Sequence, residues 1–464
     1  MKQQDLAYPD FPDLWEDSLQ PPRGEWYRDL FDALVRYSRL ASELGYPEES
    51  SRILAELRER MGRSIEVYRD LVRHPKPDPS EPDDLVSIRA ARPQAQHRLS
   101  TGLPHDFPER WHGSFLGRGA GCTLGAALEF RSVEEMEKWA RYFGDGYPPT
   151  DYWQRVKNPF SPRYVVGRSE ELTRGGMDCI PADDDTGYSL IGLLTLEENG
   201  QDFTHEQMAR TWKRHIPLRS ANGSWGCFWG ERNFLQNLHE GVPVDEAGFL
   251  NNPNVQSVAA WTRADTWGYV APGWPEKAAE LAHRDASINH HRNGVYGAMF
   301  FAAAISAAFV LDDPVEALHA GLNEIPSGSL FSEAVRWCLH IAPEIRSFRD
   351  GAAAVRQRYS GMFQGHAINN ACFTVLGIAM GRTDFSRVIG ETVAMGMDND
   401  CTGATAGSIV GAVIGKNRVP VHWYEKFNNR MHSFFNDCPA YIDLDDLCRR
   451  YEKQAKEVIG SEAR

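Results

Sequence analysis

Five aspartates stand in two short clusters whose composition suits a hard divalent cation. The first cluster, Asp183-Asp184-Asp185-Thr186, immediately precedes the apolar run Gly187–Leu196. A carboxylate at a helix N-terminus satisfies free N–H groups and complements the helix dipole, but one Asp suffices as a cap and three in a row repel one another. The second cluster, Asp398-Asn399-Asp400-Cys401-Thr402, opens the small-residue run Gly403–Gly415. Asp398 and Asp400 flank a turn and can aim at one point, as oxygen ligands around a divalent cation must. Two Asp-rich helix starts in one chain point to a shared metal site rather than two independent caps. No Ser–His–Asp or Cys–His arrangement competes for the chemistry.

The elements that must hold these clusters are also legible. Gly403, Gly407, Gly411 and Gly415 fall on one ridge at i, i+4 spacing. A helix-interior glycine costs about 1 kcal/mol relative to alanine, so the ridge implies close approach of another helix. The stretch Gly117-Arg-Gly-Ala-Gly-Cys-Thr-Leu-Gly-Ala-Ala-Leu-Glu129 lacks the lysine of a phosphate loop and reads as a second close-packed helix, with the acid Glu129 at its end. Helical patterns recur over 24–45 and 49–73 and then at 132–143, 186–198, 205–215, 276–288, 294–311, 313–323, 329–341, 350–358, 366–381, 384–395 and 402–415. Period-two alternation is scarce, so the chain is expected to be all-α. The proline-rich stretch His74–Pro82 reads as a linker, dividing an N-terminal helical extension (1–104) from a helical body (105–464).

Composition excludes more than it identifies. The 464 residues carry 50 Lys+Arg against 64 Asp+Glu, a formal charge of −14 with no basic run, which argues against nucleic acid or an anionic membrane as partner. The longest apolar stretch, Ala298–Leu311, is short of the roughly 20 residues needed to span a bilayer and reads as a buried helix. The N-terminus has no signal-peptide core. The eight cysteines show no CxxC or regular framework and read as reduced thiols, so a cytoplasmic setting is expected.

At three places the residues resemble the ADP-ribosylglycohydrolase family, which includes the dinitrogenase-reductase-activating glycohydrolase. Gly121-Cys-Thr-Leu-Gly125 through Glu129 is similar to the family's G-D-A-x-G-x-x-x-E helix. Asp183–Thr186 is similar to its Thr-Asp-Asp-Thr turn. Gly396–Cys401 and the helix after it are similar to its Gly-Gly-Asp-Thr-Asp-Thr run. The likeness covers roughly residues 110–416, and Asp285–Gly294 resembles the family's Thr-His segment.

The resemblance implies a compact orthogonal multi-helix bundle that holds two divalent cations, usually Mg²⁺ (Mn²⁺ or Ca²⁺ in its place), between the Asp turns. It implies Asp184, Asp185, Asp398 and Asp400 as ligands, with Asp183 at the first Thr position and Cys401 or Thr402 completing the set. It also implies Glu129 as base for water or orienter of the ribose, acting with Asp184 and Asp400. His290 and Asn289 would then lie near substrate, with Trp267 and Tyr269 available to stack on a base. The implied reaction is hydrolysis at the anomeric carbon of an ADP-ribosyl or ribosyl conjugate. The alternatives are a small nucleoside-like N-riboside as substrate, or a non-catalytic nucleotide-binding or structural relative.

Three departures stand out. Cys122 replaces the family's Asp, and Cys401 its Thr or Ser ligand. A thiol is a poor partner for Mg²⁺, which shifts weight to Thr402, water or a softer ion. Arg263–Pro272 lacks the family's Gly-Asn-Gly-x-x-Met-Arg loop.

Overall fold

In a computed structural model the chain is all-α, with two minor two-stranded sheets among the described residues, which are 34, 36–73, 76–219 and 224–460. The described residues fall into two compact units: a smaller one up to Pro77 with 359–364, and a larger one from Asp78 onward that excludes 359–364. The smaller unit contains a helical segment over 36–43 and the helix α1 (Pro47–Arg73). The first part of the helix expected over 24–45 lies outside the described residues.

The larger unit carries α2 (Leu85–Ala91), α3 (Phe107–Ala126), α4 (Val133–Phe143), α5 (Asp184–Asn199), α6 (His205–His215), α7 (Trp229–His239), α8 (Val244–Ala247), α9 (Asp265–Val270) and α10 (Pro275–Ala286). Then follow α11 (Asn293–Ala308), α12 (Pro314–Leu322), α13 (Leu330–Ile341), α14 (Phe348–Arg358), α15 (Ala367–Gly381), α16 (Phe385–Ala394), α17 (Asn399–Ile414) and α18 (Leu444–Gly460). The hairpins are β1 (Pro162–Arg163) with β2 (Gly167–Arg168), and β3 (Arg430–His432) with β4 (Tyr441–Asp443), both antiparallel.

The larger unit starts at Asp78. The latter part of the proline-rich stretch is docked: Glu81 accepts hydrogen bonds from Asn293 at 3.2 Å and from the backbone of Leu330 at 3.0 Å. Arg92 pairs with Glu324 and Glu276, each at 2.6 Å. These partly buried ion pairs and hydrogen bonds tie Glu81 and Arg92 to the rest of the larger unit.

The centre of the body is the pair α3 and α17. Gly113, Gly117 and Gly121 on α3 face Gly411, Gly407 and Gly403 on α17, backbone against backbone. A Cβ on Gly403 would lie 2.8 Å from the carbonyl oxygen of Gly121, so no larger side chain fits without separating the helices. Gly415 also lies against α3, where a Cβ on Gly113 would meet its carbonyl carbon at 2.7 Å, and it has a second part. It ends α17 in a left-handed turn, φ +73°, which glycine adopts without a Cβ penalty. Around this pair α11 is buried along its whole length, as its unbroken apolar sequence requires. Among the described residues no helix is long and apolar enough to cross a membrane. All eight cysteines are free, and seven are buried.

Candidate active site

Because α3 and α17 run antiparallel, the end of one helix meets the start of the other. Beyond α3 the chain turns at Leu128–Phe130, and the Phe130 N–H donates to the Met397 carbonyl at 3.1 Å. Glu129 and Asp398 are thereby brought to one place, and the nearest ligand atoms of Glu129, Asp398 and Asp400 lie within 4.8 Å of one another. Phe130 (φ +56°), Met397 (φ +62°) and Trp229 (φ +50°) are all left-handed, a conformation that costs a bulky residue of order 1–3 kcal/mol and collects at functional sites.

The second Asp cluster is delivered by the start of α5. Asp183 is its N-cap, and one carboxylate oxygen accepts from the Asp185 N–H at 3.1 Å. The other oxygen pairs with the guanidinium of Arg163, carried on the β1–β2 hairpin. The next hairpin residue, Tyr164, donates its hydroxyl to Asp184 at 2.6 Å. Asp185 is anchored from behind by Arg118 at 3.1 Å, and the same guanidinium reaches Asp265 at 2.6 Å and the Thr262 carbonyl.

These groups line a cavity of about 730 Å³. Glu129, Asp184, Asp398, Asp400 and Cys401 form its acidic floor, and Trp225, Phe228 and Trp229 give it an aromatic wall, with Arg163 and Arg232 alongside. Burial raises the pKa of Glu129, Asp184, Asp185 and Asp398 well above the ordinary carboxylate range, reinforced for the most part by neighbouring carboxylates. Burial, with the charge of Asp183, lifts Asp400 to about 6.

The donor set fits a cation. Asp185 Oδ2, Asp400 Oδ1 and Thr402 Oγ1 are buried and make no hydrogen bond. A buried acceptor without a partner costs roughly 1–3 kcal/mol, and more when it is charged. Ligand atoms of Asp185, Asp400 and Cys401 fall within 4.8 Å of one another, so a divalent ion would satisfy them together.

Of the residues singled out in the sequence, Glu129, Asp184, Asp398, Asp400 and Cys401 line the cavity. Asp183, Asp185 and Thr402 stand immediately behind them. The four expected substrate contacts do not reach it. His290 and Asn289 are fully buried, with His290 Nδ1 2.7 Å from Asn289 Oδ1 and its Nε2 3.1 Å from Ser257 Oγ. Asn289 Oδ1 also accepts from Arg263 at 2.9 Å, and that guanidinium pairs with Asp285 at 2.8 Å and with Glu231. Trp267 donates to Asp285 at 3.2 Å. Tyr269 donates to Asp265 at 3.0 Å and stands 3.2 Å from Ser408 Oγ. The polar atoms of all four are taken up by a buried network centred on Arg263 and by the Asp265 network, as buried polar groups require. Burial also keeps His290 neutral, its pKa well below the usual imidazole value.

Sequence reasoning missed Arg163, Tyr164 and the aromatic wall. Arg163 and Tyr164 sit on two-residue strands too short to leave a periodic pattern. Trp225-Gly-Cys-Phe-Trp229 was visible as a dense aromatic group in an otherwise unassigned stretch.

A search of curated proteins finds no significant match to the chain. Among solved structures, 46 chains match. One, titled "ADP-ribosylglycohydrolase-related protein complex", is 20% identical and spans 77% of this chain and 99% of its own, with a TM-score of 0.47. The model of the family described as ADP-ribosylglycohydrolase matches residues 103–457, from just before α3 into α18. On that match, over most of its length, the chain belongs to the ADP-ribosylglycohydrolase family.

Proposed function

We propose that this chain is a divalent-cation-dependent glycohydrolase that breaks the bond at the anomeric carbon of an ADP-ribosyl or ribosyl conjugate. The observation that carries the reading is that Asp185, Asp400 and Thr402 each hold a buried, unpartnered oxygen at or behind the acidic floor of a cavity of about 730 Å³ that Glu129 also lines. Family membership supplies the reaction class.

Asp185 and Asp400 would hold the cation from the two helix starts, with Asp184 and Asp398 at the cavity edge and Thr402 behind. When bound, the cation supplies a positive anchor for ribose hydroxyls and a more acidic water. Glu129 stands at the end of α3 where it can take a proton from water or from a ribose hydroxyl as positive charge grows at the anomeric carbon. Burial holds the Glu129 carboxyl above the ordinary carboxylate range, which makes it a stronger base than an exposed glutamate. Trp225, Phe228 and Trp229 offer planar faces to an aromatic base, and Arg232 a charge for phosphate.

The test is a panel of ADP-ribosyl-arginine, ADP-ribosyl-serine, O-acetyl-ADP-ribose and plain nucleosides, with and without a chelator, followed by chromatography of released ribose species. Chelator-sensitive release of ADP-ribose supports the reading. Release from nucleosides alone would replace it with a small N-riboside hydrolase, and no release from any of them would leave a binding protein.

A further inference from the structure

We propose that Glu171, Cys179 and His432 form a separate metal site, apart from the cavity, that takes one zinc ion through a carboxylate oxygen, a thiolate and an imidazole nitrogen. None of the three lines the cavity, and their ligand atoms lie within 4.8 Å of one another. Among the described residues this is the one such grouping with a histidine, the other three drawing on the Asp clusters. Carboxylates alone suit a hard ion, whereas a thiolate, an imidazole and one carboxylate are donors that zinc accepts together.

Three separate segments deliver these groups, and the backbone registers two of them. The Ile180 N–H donates to the Arg430 carbonyl at 2.9 Å, and the His432 N–H donates to the Ile180 carbonyl at 2.9 Å, so Cys179 is held alongside β3. The His432 ring stacks on Tyr441, its partner on β4, with centroids 4.8 Å apart and planes 18° from parallel. Glu171 comes from the 3-10 turn Ser169–Leu172 that follows β2, and its Oε1 accepts from the Arg168 N–H at 3.1 Å. The other oxygen, Oε2, stands 3.2 Å from His432 Nδ1. Two ligands each about 2.0 Å from a tetrahedral zinc lie roughly 3.3 Å apart, so this pair already spans one edge of a coordination shell. Gly167 leaves the flank of Oε2 open, since a Cβ there would stand 3.3 Å from it.

The charges balance. Burial, with Asp178 and Glu171 nearby, pushes the Cys179 thiol up to about 12, so without an ion it keeps its proton. Zinc displaces that proton, and a neutral His432 ligates through Nδ1 with its hydrogen on Nε2. Each zinc thus releases one proton, and its two charges are met by one thiolate and one carboxylate. Arg430, beside the site, is taken up by Asp178 at 2.8 Å. Cys179 is buried, but His432 and Glu171 are partly exposed, which gives water access to the fourth position. A zinc here clips the β1–β2 hairpin, whose Arg163 and Tyr164 hold Asp183 and Asp184, to the β3–β4 hairpin.

The experiment uses the full chain, freed of metal by chelator and titrated with Zn²⁺, and separately with Co²⁺, whose thiolate complexes show a sulfur-to-metal charge-transfer band in the near ultraviolet. We expect that band to appear, to vanish in Cys179→Ser and to persist in Cys401→Ser and Asp400→Asn. Calorimetry in two buffers of different ionisation enthalpy should read one proton released per zinc at this site. His432→Gln and Glu171→Gln should each weaken binding by at least roughly tenfold, since even a residue that only orients a metal ligand contributes about that much. A band that survives in Cys179→Ser overturns the proposal, as does the lack of any band in the unaltered protein. Should Cys179→Ser fail to fold, the two glutamine variants decide, and Co²⁺ affinity unchanged in both overturns the proposal as well. The ion in the cavity is read separately, because Asp400→Asn removes that ion and leaves this band.

Discussion

Gly121 and Gly403 face each other across α3 and α17 with no room for a side chain on either. Gly403 lies just after Asp400, and Gly125, one turn beyond Gly121, packs on the backbone of Asn399 and Asp400, so this contact helps set the separation of Glu129 from Asp400. Alanine at Gly403 must push the helices apart, because a Cβ there meets Gly121 O and a Val393 methyl, each at 2.8 Å. Overpacking of this kind costs about 1–3 kcal/mol. Gly403→Ala should therefore lower the denaturant midpoint, and it should weaken Mn²⁺ binding as well. Gly102, with open space around its hypothetical Cβ, is the control, and its replacement by alanine should change neither.

The clustered carboxylates make metal-free stability depend on pH in the unusual direction. Asp400 is raised to about 6, and Asp184, Asp185 and Asp398 are raised further by burial and mutual repulsion. An acid whose pKa is higher folded than unfolded stabilises the fold below the unfolded pKa, and that contribution is lost as pH rises through the folded value. The chelator-treated protein should thus melt at a higher temperature at pH 5.5 than at pH 7.5. A divalent ion offsets the same repulsion, so its stabilising effect should be larger at pH 7.5. Calorimetric scans at the two pH values, with and without Mn²⁺, would contradict the account if metal stabilised the protein equally at both.

Much of this arrangement was legible because it leaves strong local marks. Glycines at fourfold spacing in a helix are expensive and announced the α3–α17 contact, and adjacent aspartates before an apolar run announced the start of α5. Long apolar helices such as α11 and α15 fell close to the expected bounds. The six-residue α9 is too short to show a period. Helix α7 begins after Phe228, which offers no side-chain cap, and the left-handed Trp229 hides its start. Helix α18 does carry an apolar stripe (Leu444, Leu447, Tyr451, Ala455, Val458) and was overlooked among its many charges. What sequence could not show is who consumes a polar group. Asn289 and His290 look like ligands until Arg263, 26 residues from Asn289, takes the shared oxygen.

Glu129→Gln separates binding from turnover. The amide keeps the shape of the side chain and removes its capacity to accept a proton. Loss of a general base typically costs about 10²–10⁴-fold in rate. Mn²⁺ affinity through Asp185, Asp400 and Thr402 should change far less than kcat. Unchanged turnover in Glu129→Gln would remove this residue from the mechanism.

Arg263 provides the sharpest contrast between a structural and a substrate-binding role. It is buried with Glu231 and Asp285 as its ion-pair partners and Asn289 as a further acceptor. Removing one member of a buried ion pair leaves uncompensated charge and costs about 3–5 kcal/mol. Arg263→Ala should therefore unfold the protein at markedly lower denaturant. His290→Ala, which leaves those ion pairs intact, should cost less stability and leave KM unaltered, because His290 bonds to Ser257 and Asn289 and does not line the cavity. Trp229→Ala should do the reverse and raise KM for a substrate carrying an aromatic base, since its ring forms part of the cavity wall. Urea melts and steady-state kinetics on the three variants distinguish the two roles. A large KM change in His290→Ala with stability intact would return that residue to the substrate.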